Sequence, residues 1–189
     1  MKARWLIMLF LLLPAFVVAQ PDKVYKSLAD VRNPEDVYIL RLRHKKLTKI
    51  PAEVFSMVNL RELDLSRNRL EEVSPEIVAL QNLEVLNLGR NNIDSLPLEV
   101  AQLSHLSELD VSRNPLVALP EEMGYMLSLR KIIVWSTALY AFPESFADLD
   151  GRLELLDMRS CQLSRDDQQA IRAILPSVKI WWDQACNCK

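Results

Sequence analysis

Residues 60–82 read LRELDLSRNRLEEVSPEIVALQN, residues 83–105 read LEVLNLGRNNIDSLPLEVAQLSH, and residues 106–128 read LSELDVSRNPLVALPEEMGYMLS. Aligned, they superpose Leu60, Leu63, Leu65, Asn68 and Leu70 on Leu83, Leu86, Leu88, Asn91 and Ile93, and on Leu106, Leu109, Val111, Asn114 and Leu116. The period is 23 residues. Working outward, Val37 stands one period earlier, Leu129 one period later, and Leu153 one residue late, after Asp150, Gly151 and Arg152. Self-similarity with these spacings marks a solenoid, in which each unit is one slice and slices stack on their neighbours.

The apolar side chains of one unit release less free energy on burial than ordering its backbone costs, so no slice folds alone. Stacking completes the burial. The alternation Leu63-x-Leu65 predicts a short strand with its apolar side inward. Pro75, Glu76, Ile77, Val78, Ala79 and Leu80 predict a helical turn returning on the outer side. The expected class is therefore α/β: a right-handed, curved solenoid with a parallel sheet on its concave face, short helical turns on its convex face, and helical caps. Asn68, Asn91 and Asn114 fall where the chain leaves each strand, and an amide there can both donate to and accept from unpaired backbone groups. Lys45, Thr137 and Cys161 hold the corresponding places; a buried lysine cannot do this work, so a looser first turn is expected.

Residues 1–19 differ in kind. Lys2 and Arg4 precede an apolar run interrupted by Pro14, and Val17, Val18 and Ala19 carry small or medium side chains. These features predict a signal peptide cleaved between Ala19 and Gln20, hence export to a secreted, periplasmic or surface location. An uncleaved anchor is the alternative, although the run falls short of the ~20 residues that span a bilayer comfortably. Residues 20–36 are then an N-terminal cap, with an amphipathic helix over residues 23–31 through Tyr25, Leu28 and Val31. Residues 37–163 form the solenoid of about six repeats. Residues 164–182 form a helix and strand cap that opens on Ser164, Arg165, Asp166 and Asp167, like a capping box. Residues 183–189 form a tail with Cys186 and Cys188.

Cleavage removes two basic residues, leaving 21 Lys plus Arg against 25 Asp plus Glu, a net charge of −4. A mildly acidic chain lacks the basic surface that phosphate backbones require, so nucleic acid is not an expected partner. No membrane span is expected after cleavage. The sequence shows no Gly-rich phosphate loop, and only three glycines. His44, expected on the concave rim, and His105, expected in a connecting loop, have no Ser or Cys at catalytic spacing. No enzyme activity, cofactor or metal is expected. Cys161 suits a small buried turn residue. Cys186 and Cys188 can bridge each other, staple the tail to Cys161, bind a metal weakly or remain free.

With its repeats, its Leu-Pro-x-x-hydrophobic second halves and its Ile171-Arg-Ala-Ile-Leu-Pro176 ending, the chain resembles a secreted member of the leucine-rich repeat family. Within it, the 23-residue class of Ras-suppressor-like and disease-resistance-like proteins is most similar. The resemblance implies a binding module whose partners dock on outward strand residues of the concave face. Those are Arg61, Glu62, Asp64, Ser66 and Arg67 in the second unit, with Arg90 and with Asp110 and Arg113 continuing the rows. Arg67, Arg90 and Arg113, beside Asp64 and Asp110, make either a binding row or a self-paired, solvated charge lattice, since exposed pairs contribute little.

The last units depart from this pattern, because Ile133, Trp135 and Leu155 replace charged or small outward residues. Exposed apolar and aromatic groups gathered on a sheet are typical binding anchors; covering the cap is the other reading. If the last strand continues the register, Trp181 shares a row with Trp135 and Arg159, and Arg159 lies between two indoles at cation-π distance. Six strands give a face of about 29 by 17 Å, roughly 500 Å², below the ~800 Å² per partner of a standard interface. A protein or peptide partner that presents a peptide or a protruding loop is expected. The competing functions are a passive structural or adhesive component of an envelope or surface assembly, and a polysaccharide-binding protein using Trp135 and Trp181. The sequence leaves the oligomeric state open.

Overall fold

In the computed structural model, which describes residues 22–183, each repeat unit contributes one three-residue strand to a single sheet, and a two-residue strand precedes them. The strands are β1 (Val24–Tyr25), β2 (Ile39–Arg41), β3 (Glu62–Asp64), β4 (Val85–Asn87), β5 (Glu108–Asp110), β6 (Lys131–Ile133), β7 (Leu155–Asp157) and β8 (Lys179–Trp181). They lie in sequence order and all pair in parallel. The expected signal segment and the Cys186 and Cys188 tail fall outside the described residues.

The central residue of each strand points inward. Tyr25, Leu40, Leu63, Leu86, Leu109, Ile132, Leu156 and Ile180 share one row, and the leucines and Ile132 are fully buried. One continuous apolar core results. The return runs on the outer side are 3-10 turns, at Ala52–Ser56, Pro75–Ala79, Leu98–Gln102, Glu121–Tyr125 and Glu144–Leu149. Proline stands just before four of them, at Pro51, Pro97, Pro120 and Pro143, and opens the other at Pro75. Its fixed φ and missing N–H suit the start of a helical segment. Five or six residues are too few for a sustained α-helix, so the tighter form prevails. Val54, Ile77, Val100, Met123 and Phe146 anchor these turns to the core.

Two polar ladders tie the slices. Asn91 Oδ1 accepts from Leu70 N at 3.0 Å while its amide donates to Leu65 O and Leu88 O. Asn114 repeats this with Ile93, Leu88 and Val111, and Asn68 with Lys45, Leu47, Leu42 and Leu65. The ladder ends on weaker groups: Thr137 Oγ1 and Cys161 Sγ both donate to Val134 O. Cys161 is buried and unbridged among the described residues. A second ladder runs between loops, where Asn59, Asn82, His105 and Ser128 each reach the backbone carbonyl 24 residues earlier.

The N-terminal cap differs from expectation. No helix forms over residues 23–31; Val24–Tyr25 is a strand and Leu28–Asp30 a single 3-10 turn capped by Ser27. The physical reason is the open edge of β2, whose backbone groups need partners and whose Leu40 needs cover, and Tyr25 in β1 supplies both. At the other end, Arg165–Ile174 forms α1. There Ser164 Oγ accepts from Asp167 N, and Asp167 Oδ2 accepts from Ser164 N at 2.8 Å. The side-chain and backbone bonds to Ser164 hold the Asp167 carboxyl below its usual range. No helix among the described residues is long and apolar enough to cross a membrane.

The open sheet face as candidate functional site

Two outward rows flank the buried central one. The first holds Ile39, Glu62, Val85, Glu108, Lys131, Leu155 and Lys179; the second holds Arg41, Asp64, Asn87, Asp110, Ile133, Asp157 and Trp181. In the second row the polar residues serve their own backbone. Asp64 accepts from Ser66 N, Asn87 from Gly89 N, Asp110 from Ser112 N and Asp157 from Arg159 N. Each closes a small turn at the strand end.

Asp64 is thus not a free binding group. It is 2% exposed and receives Arg43 Nε from the preceding unit. Asp110 is half-buried and takes Ser112 Oγ at 2.6 Å as well. Burial raises its carboxyl above the usual range, against the Ser112 bonds that lower it. Both carboxylates beside the arginine row are already engaged, Asp64 by its own turn and Arg43, Asp110 by Ser112.

The arginine row exists, but in another conformation. Arg67, Arg90 and Arg113 lie just past the strands with φ of 59°, 60° and 53°. His44, Ser136 and Ser160 hold the equivalent left-handed positions. The backbone requires this turn in every unit, whereas the side chain varies, so the arginines are not there to make the turn. All three are exposed, and no carboxylate among the described residues lies within ion-pair distance of them. Most of the face's own carboxylates are otherwise engaged: Glu62 with Arg41, Glu108 with Lys131, Asp157 with Arg159, and Glu84 with Arg61 at 3.8 Å, while Glu154 stands exposed without an ion pair among the described residues. The charge lattice therefore forms, but without these arginines.

The apolar cluster lies together on β6 and β7. Ile133 and Trp135 are two residues apart on one face, with Leu155 diagonal to Ile133 across the strand pair, and all three are partly exposed. Trp181 departs from the expected row: it pairs with Asp157, two positions before Arg159. The extra residue between β6 and β7 recurs between β7 and β8, giving steps of 24 rather than 23. The indoles are therefore stacked on different cations. Arg113 lies 4.5 Å from the Trp135 ring centre, while Arg159 and Lys179 lie 5.1 and 5.0 Å from that of Trp181. Arg159 also grips Asp157 with two bonds, of 2.9 and 2.7 Å.

Beyond Arg113, where Ser136 and Ser160 replace arginine, a hollow of about 560 Å³ opens, lined also by Pro115, Leu139, Tyr140 and Gln162. The change from Arg to Ser at the repeat period was its only signal in the sequence. At the opposite end Lys26, Arg41, Arg43 and Lys45 line a hollow of about 380 Å³. His105 Nδ1 faces Gln81 O at 2.8 Å. A carbonyl only accepts, so that nitrogen carries a proton and cannot act as base toward the neighbouring Ser104 Oγ. His44 is exposed beside the arginine line.

A family model for leucine-rich repeat regions matches residues 31–179, and no curated protein matches. Among solved structures, an internalin from Listeria monocytogenes is similar at 19% identity and a TM-score of 0.64, over 79% of this chain and 42% of that one. The leucine-rich repeat ectodomain of a plant membrane receptor kinase from Arabidopsis thaliana, solved with Casparian strip integrity factor 2, is 28% identical with a TM-score of 0.60. That match covers 68% of this chain and 16% of the receptor's. A TDR receptor is also 28% identical, with a TM-score of 0.58, over 71% and 24% of the two chains. This chain spans less than half the length of each. Repeat solenoids of this kind typically serve as protein-interaction modules without enzymatic activity. With a 23-residue parallel ladder, its asparagine rungs and a family match across most of its length, the chain belongs to the leucine-rich repeat family.

Proposed function

We propose that this chain is an exported, non-enzymatic recognition module that binds a protein or peptide across its open sheet face, centred on Ile133, Trp135 and Leu155. The observation that carries this reading is the change of surface at β6 and β7: partly exposed apolar and aromatic side chains replace polar ones where the fold does not need them. Arg113 holds the Trp135 ring from one side, which lowers the entropy lost when a partner packs on it. Eight strands widen the face to about 38 Å, still short of a standard interface area, which favours a peptide or a protruding loop. The Arabidopsis receptor ectodomain, similar over 68% of this chain, was solved with its own bound factor.

Photo-cross-linking from position 133, compared with position 125 on an outer turn, tests this in the exported fraction. Adducts from position 133 support the reading, and adducts confined to position 125 overturn it in favour of a structural component. Trp135→Ala is expected to weaken partner capture at least about tenfold. Its thermal midpoint should move by no more than about 4 °C.

A further inference from the structure

The formal net charge of −2 conceals a segregation of charge. Every outer turn opens on acid and ends without base: Glu53, Glu76, Glu99, Glu121 with Glu122, and Glu144 fill the first turns, and none has a basic residue in its last. Carboxylates are favoured there by the free N–H groups at the start of a helical turn. The sheet face carries the opposite surplus. Its carboxylates are paired or hydrogen-bonded except Glu154, which lies two strands beyond Arg113, whereas Arg67, Arg90 and Arg113 stand in line without an acidic partner among the described residues. His44 begins that line, and Lys26 and Lys45, in the hollow at the same end, add positive charge that no ion pair among the described residues offsets.

The line leads to the apolar cluster. Strands are ~4.8 Å apart, so Arg67 to Arg113 spans about 10 Å, the reach of three extended residues, and β6 lies one strand further. Three arginines occupy left-handed positions where Asn or Gly would sit more easily. Glu62, Glu84 and Glu108 share the face and would oppose a continuous polyanion, but a short segment with a few carboxylates meets only the arginines.

Resting on the reading of the open face given above, we infer that the partner is an acidic protein segment: two or three carboxylates over Arg67, Arg90 and Arg113, next to one large apolar side chain. That side chain packs on Ile133, Leu155 and the Trp135 ring. The segment crosses the strands rather than adding to the sheet edge, and its continuation meets the hollow beside Ser136, Ser160 and Tyr140. Charge complementarity of this kind sets orientation and association rate, and weakens with salt.

Fluorescence anisotropy with two labelled synthetic peptides tests the inference, one carrying Asp-Glu-Asp followed by Gly and Trp, the other Lys-Gln-Lys in place of the acids. The acidic peptide should bind, and its affinity should fall at least about tenfold between 50 and 500 mM salt as screening shortens. Arg67→Glu with Arg90→Glu should abolish binding. Ile133→Ser should weaken binding with the salt dependence retained. Lys49→Glu, at a side chain that is 80% exposed and pairs with Glu72, should have no effect. Equal binding of both peptides, or charge reversal without loss, overturns the proposal. So does tighter binding of a single-stranded oligonucleotide of equal charge. If the acidic peptide fails while cross-links still arise from position 133, the open-face reading stands and the acidic chemistry alone falls.

Discussion

Asp110 and Asn87 hold the same place in successive units and do the same work, each accepting the N–H two residues on. Asn87 does so neutral, whereas Asp110 does so as a half-buried anion whose carboxyl burial raises. An acid with a raised pKa in the folded state binds its proton more tightly there than when unfolded. Its ionisation therefore costs stability at neutral pH, and the cost is relieved as pH falls through the carboxylate range. Asp110→Asn keeps the acceptor and removes the charge. It is expected to raise the thermal midpoint at pH 7 and to lose that advantage near pH 4; a lower midpoint at pH 7 counts against this account. The rung asparagines were legible because an amide at that spacing both donates to and accepts from the unpaired backbone of adjoining units. The roles of Asp64 and Asp110 were not, since alternation alone places them outward, whereas Arg43 and the strand-end turns enclose them.

At the scale of elements, the outer turns Glu121–Tyr125 and Glu144–Leu149 make the most extensive contact of any pair among the described residues. A Cβ at Gly124 would collide with the Ser145 carbonyl carbon and oxygen, closer than any real contact tolerates. Gly124→Ala is thus expected to destabilise by about 1–3 kcal/mol, read as a lower urea midpoint with unchanged slope. Ser145 Oγ also donates to Glu121 O at 2.7 Å, fixing the same pair of turns. The sequence signals these turns through Leu-Pro and its following apolar residue. Their 3-10 form follows from the few residues between strands. The N-terminal segment misleads because Tyr25, Leu28 and Val31 have helical spacing, yet the unpaired edge of β2 makes strand addition the better use of Tyr25.

For the whole molecule, each slice touches only its neighbours along a single sheet, yet all share one core. A cavity in a middle slice interrupts both stacks at once. Leu86→Ala, at a fully buried centre of β4, should cost about 2–5 kcal/mol. Hydrogen exchange should then show faster opening in the flanking units as well as its own; a loss confined to residues 83–105 speaks against shared cooperativity. Taken alone, the sequence determined the repeat length, the inward ladder, the rung residues and the apolar character of Ile133, Trp135 and Leu155. Periodic burial is written in the order of side chains. What only the tertiary structure decided is which charges are spent and which are free. Arg43 reaches forward from one unit to Asp64 in the next, Arg113 lies over Trp135, and the register of β8 sets Trp181 beside Asp157 rather than Arg159. Those outcomes depend on distances across strands, which residue order along one strand does not contain.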